Sequence, residues 1–127
     1  MLRTTFTDLV GCKVPIQLAG LGSVGSVDLA VAVTRAGAFG MVPAGYPPQA
    51  LDHLQEETSG MFGVNFLMPF VDRAEVALAA SKAKLVDFFY GDPDPSLVEA
   101  VHQGGALASW QVGSRACYEL FRATVQP

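Results

Sequence analysis

Five short apolar runs recur along the chain at helix-sized intervals, and this rhythm limits the folds open to it. They are "VPIQLAG" (14–20), "FGMVPAG" (39–45), "MFGVNFLM" (61–68), "LVDFFYG" (85–91) and "ALASWQV" (106–112). Each is bounded by Gly or Pro and rich in β-branched or aromatic residues, which is how a buried strand reads. Helix-like text fills the intervals. "SVDLAVAVTRAGA" opens on Ser26 as an N-cap, carries Asp28 in its first turn and stops near Gly37. "PPQALDHLQEETSG" opens on prolines suited to a first helical turn and closes at Gly60. "VDRAEVALAASKAK" puts Val76, Leu78 and Ala79 on a partly apolar side. "DPSLVEAVHQGGA" has Leu97, Val98 and Val101 at helical spacing and ends at Gly104-Gly105. Every connection between strands is long enough for a crossover helix, so the spacing predicts an all-parallel sheet. Two architectures satisfy it: an open doubly wound sheet, or part of a (β/α)8 barrel.

Composition narrows the function classes. With 127 residues, half of them apolar, and a mean hydropathy of +0.34, the chain suits one small domain or a piece of a larger one. The net charge is −4 and no two basic residues are adjacent, so neither nucleic acid nor an anionic membrane is expected as a partner. The apolar text over 14–47 is interrupted by Asp28, Arg35 and several Gly and Pro, which excludes a spanning helix. The N-terminus has no continuous apolar core of the signal-peptide kind. Cys12 and Cys117 lie far apart in no metal-like spacing and read as reduced thiols of a cytoplasmic protein. No metal site is expected.

"LAGLGSVGS" (18–26) contains a literal G-x-G-x-x-G, Gly20 to Gly25. A dinucleotide fingerprint also needs an acidic residue about 20 residues on, at the end of the second strand. That strand ends "VPAGYPP", and the nearest acid, Asp52, falls inside the next helix. Pro15 and Gln17 are awkward in a central strand unless a bulge or ligand takes their backbone groups. The glycines read better as a place where backbone approaches something flat and where the first helix packs closely. A nicotinamide-binding site is kept only as a third alternative.

Three blocks resemble the flavin-dependent nitronate monooxygenases, formerly called 2-nitropropane dioxygenases. The first, "FTDLVGCKVPIQLAGLGSVGSVDLAVAVTRAGAFGMVPAG", is similar to the family's strand "PIVQAPM" or "PIVLAGMG", helix end "SNAGGLG" and strand end "GAG". The second, "FGVNFLMP", is similar to "FGVNL". The third, "VDFFYGDPDPSLVEAVHQGGALASWQVGS", is similar to a family block ending "QVGS". Order and spacing agree over residues 6–114.

The resemblance implies a partial (β/α)8 barrel of about five parallel strands with crossover helices, binding FMN at the strands' C-terminal ends. It implies that Ala19, Gly20, Leu21 and Gly22 lie along the flavin ring. It also implies that Asn65 and Gln111, at the ends of the third and fifth strands, contact the flavin. Neutral amides both donate and accept, as a flavin's pyrimidine edge requires. The implied reaction is oxidation of an alkyl nitronate by O2 to a carbonyl compound and nitrite. A flavin-dependent enoyl reductase-like barrel and a non-catalytic remnant or assembly piece are the alternatives.

After Ser114 the likeness fades into "RACYELFRATVQP". The family's "EAGGH" histidine has no counterpart, so no catalytic residue is assigned, and the loops that hold the FMN phosphate are also missing. The expectation is a chain truncated after its fifth strand, with open strand edges that invite self-association. His53 and His102 are expected at the surface, and Asp92 and Asp94 in a turn and helix N-cap. Trp110 and "FFY" (88–90) are expected in packing, with Tyr90 placed to border the substrate pocket.

Overall fold

The computed structural model of the chain describes residues 2–125. Four strands form one sheet in the order β1-β2-β3-β4: β1 (Gly40–Pro43), β2 (Phe62–Leu67), β3 (Leu85–Phe89) and β4 (Leu107–Trp110). Every pairing is parallel. Six α-helices accompany them: α1 (Thr5–Val10), α2 (Val27–Arg35), α3 (Pro48–Thr58), α4 (Arg73–Lys82), α5 (Pro95–Gly104) and α6 (Arg115–Val125).

The faces of the sheet choose between the two architectures. Val42, Phe62, Val64, Phe66, Val86 and Phe88 point to one side. There they share a core with Ala30 and Val31 of α2, Leu51 and Leu54 of α3, Val76 and Ala79 of α4, and Leu97, Val98 and Val101 of α5. All four crossover helices therefore cover the same face. A doubly wound sheet divides its helices between both faces and reverses its strand order; a barrel does neither. The chain is a partial (β/α)8 barrel. Its opposite, inner face carries Phe39, Met41 and Leu85, covered near the strand starts by Phe6, Val10 and Cys12 from α1 and the residues just after it. The rings of Phe6 and Phe39 meet edge to face at 6.1 Å.

The sequence and the structure differ at the first expected strand, over 14–20. It is reduced to a single parallel bridge, Gln17 to Phe39. Leu18 N–H donates to the Phe39 carbonyl and Phe39 N–H to that of Ile16, each at 2.9 Å. Pro15 has no N–H to give, and the N–H groups of Lys13 and Val14 both turn to the Gly37 carbonyl. The segment touches β1 where a strand would start, and then leaves it. α1 is the converse case, a helix with no expected counterpart. Thr4 and Thr7 form its capping box, and Gly11 ends it at φ 86°.

The helix boundaries follow their capping chemistry. The Ser26 hydroxyl accepts from Leu29 N–H, and Pro48 occupies the first turn of α3. Asp72 and Asp94 cap α4 and α5. Asp94 thus sits at the expected N-cap, and His53 and His102 are exposed, as expected. Trp110 is buried against Phe88 with ring centroids 4.6 Å apart, and its indole N–H donates to the Gly91 carbonyl.

Candidate functional site at the strand ends

Register builds the site. On the inner face, Pro43, Asn65, Asp87 and Ser109 lie side by side across β1 to β4. Asp87, only 1% exposed, is the most deeply buried charged side chain among the described residues. Burying a carboxylate is costly unless hydrogen bonds compensate it. Here three donors converge on it. Asn65 Nδ2 and Gln111 Nε2 donate to Oδ2 at 2.7 and 2.6 Å, and Ser109 Oγ donates to Oδ1 at 2.9 Å. Gln111 follows the end of β4 and reaches back to join the row.

The 18–26 loop closes over this row. A Cβ built on Gly20 would fall 2.5 Å from Asn65 Oδ1, so only glycine lets the loop lie on that amide. At Gly25 the same construction meets the Pro43 ring at 2.8 Å, which brings the start of α2 against the end of β1. Between them Leu21 and Gly22 take left-handed backbone, φ 51° and 50°, leading into a 3-10 turn over Gly22–Val24. The Tyr46 hydroxyl donates to the Gly25 carbonyl at 3.0 Å and ties this loop to the one after β1.

A cleft of about 490 Å³ opens beside the loop, bounded by Gly22, Ser23, Tyr46, Asn65, Phe66 and Phe70. That volume is in the range of small-molecule sites. Its position at the C-terminal ends of the strands is where barrels carry their sites. Gly22 and Asn65, of the expected residues, border the cleft directly. Gly20 backs Asn65, and Gln111 joins through Asp87. Ala19 and Leu21 are exposed on the loop without bordering the cleft. Tyr90, exposed and at φ 65°, follows the end of β3 with its ring against Phe89. At the start of α5 the Asp94 carboxyl is held below its usual range, first by the Ser96 hydroxyl and then by Ser96 N–H and the Arg73 guanidinium.

Sequence reasoning missed Asp87. Its trace was present, since Asn65, Asp87 and Ser109 recur at intervals of 22 residues. A polar residue at the same place in successive βα units marks side chains that the parallel register sets next to one another on one face.

Comparison with solved structures agrees with this geometry. FabK from Thermotoga maritima superposes with a TM-score of 0.81 at 25% identity, over 98% of this chain and 42% of that one. A point mutant of the same protein gives 0.80 at 26%, over 98% and 44%. The barrel fold that the sequence resemblance implies is met in the solved structures. Nitroalkane oxidase from Streptomyces ansochromogenes superposes at 0.74 and 22% identity, over 96% and 46%. The chain spans less than half the length of each of these proteins. No protein-family model and no curated protein matches it. Among the described residues no helix is long and apolar enough to cross a membrane.

Proposed function

We propose that the chain forms the ring-binding portion of an FMN-dependent barrel oxidoreductase acting on alkyl nitronates and O2, with a carbonyl compound and nitrite as products. The observation that carries this reading is the buried Asp87 row, which orients the Asn65 amide at the border of a glycine-lined cleft at the strand ends and ties the Gln111 amide to the same carboxylate. The residues fit a planar heteroaromatic ligand. Gly20 and Gly22 place no side chain of their own over the row or the cleft, Asn65 and Gln111 offer hydrogen bonds, and Phe66 and Phe70 supply apolar walls. Bound there, a flavin supplies the electron acceptor for the nitronate. The chain's own residues bind and orient it. Both histidines lie exposed on α3 and α5, so none of them handles a proton at the cleft. The reading places the protein in the cytoplasm, with Cys12 and Cys117 as free thiols.

A flavin-dependent enoyl reductase-like barrel is the second reading. Favouring it, the FabK structures superpose more closely than nitroalkane oxidase does. Flavin comes first in the test. The purified chain is mixed with FMN, filtered free of unbound flavin and scanned in the visible. Yellow protein with a perturbed flavin band supports the reading; colourless protein at high FMN overturns it for this chain. Nitrite release from an alkyl nitronate then separates the two substrates.

A further inference from the structure

We propose that Asp87 is a positioning residue that fixes the polarity of the site. It holds the Asn65 and Gln111 amides with their NH2 groups inward, so that both carbonyl oxygens are offered to a ligand carrying a hydrogen-bond donor. A carboxylate has no hydrogen to give. Both amide nitrogens lie within 2.7 Å of the same oxygen, Oδ2, and neither amide can turn over without setting oxygen against oxygen. The Ser109 hydroxyl pins the other carboxylate oxygen, so Asp87 itself cannot swing to release them. Gly20, having no Cβ, lies directly against Asn65 Oδ1, and Asn65 borders the cleft beside that contact. Two outward acceptors call for a donor between them, which an imide N–H supplies. The ligand part of this inference rests on the flavin reading, since the flavin's pyrimidine edge carries its single donor at N3.

Two measurements test it. In the 15N-labelled chain without flavin, the side-chain amide protons of Asn65 and Gln111 exchange with water at least tenfold more slowly than those of the exposed Gln49 and Gln55. Asp87→Asn, whose neutral amide oxygen accepts more weakly than a carboxylate and whose NH2 replaces the second acceptor, reduces that slowing. Ser109→Ala carries the test should Asp87→Asn fail to fold. It loosens the same carboxylate at a half-buried position, and both exchange rates rise severalfold. Rates that are unchanged in the folded variants, or fast in the wild type, overturn the positioning role.

The second measurement titrates the chain with FMN and with N3-methyl FMN. The wild type binds the methylated form about tenfold more weakly, and Asp87→Asn or Ser109→Ala narrows that ratio. A merely structural carboxylate would leave the ratio unchanged. Equal binding of both flavins by the wild type overturns the polarity. Binding of neither overturns the flavin reading alone, and the exchange rates then decide the role of Asp87.

Discussion

Gly20 separates a packing role from a ligand role most directly. Its missing Cβ is what leaves room for Asn65. Gly20→Ala is expected to cost about 1–3 kcal/mol, the usual scale of overpacking, with a lower urea midpoint and an unchanged slope. Gly113, where an added Cβ meets nothing within 4 Å, is the control. Gly113→Ala is expected to stay within about 0.5 kcal/mol of the wild type. Equal stability of Gly20→Ala would show that the loop moves freely over Asn65. At this scale Asn65 and Gln111 were legible in the sequence, because an amide ending an apolar run stands out locally. Asp87 was not. One acid inside "LVDFF" acquires meaning only when the register lines it up with residues on both neighbouring strands.

At the scale of elements, the N-caps carry a pH signature. Asp94 Oδ1 accepts from Ser96 N–H at 2.8 Å, and Asp94→Ala is expected to cost about 1 kcal/mol near neutral pH. The carboxyl is lowered in the folded state, so it binds its proton more readily when unfolded. Its contribution is therefore present above the ordinary value of about 3.9 and is lost as pH falls through the lowered one. Thermal melts of wild type and variant should differ by a constant amount from pH 7 to about pH 5 and converge in acid below that ordinary value. A gap that persists there would assign the effect to helix propensity. The Arg73–Asp94 pair is exposed and adds little. Four of the five expected strands and all four crossover helices were legible from periodicity and punctuation. The first strand was misread because its text is largely apolar, while Pro15 and the Gly37 carbonyl divert the backbone bonds a strand needs.

For the whole molecule, alternation of strands and helices could not tell a barrel from a doubly wound sheet, since both share it. The decision came from which face the helices cover, a property of the assembled sheet. The same assembly leaves β4 at an edge, with Leu107, Ala108 and Ser109 only half-buried while β2 and β3 are buried almost throughout. We expect this edge to pair with another copy, as unpaired strand edges do. Sedimentation velocity over a concentration series should show mass rising with concentration, and Leu107→Lys, an inward charge on the edge strand, should suppress the rise. A wild-type monomer at every concentration would refute pairing through β4.

Trp110 gives the molecule a built-in optical reporter. It is the only tryptophan of the chain, it is 7% exposed, and it immediately precedes Gln111. Excitation at the red edge of protein absorbance therefore interrogates one place, the end of β4 beside the amide row. A blue-shifted emission would report the ring stacked on Phe88, and a red-shift on dilution or mild denaturant would time the loosening of that strand against global unfolding. Because flavin absorption overlaps indole emission, a chromophore settling in the cleft would dim this single lamp. The first sign of occupancy can thus be read by fluorescence, before any substrate is chosen.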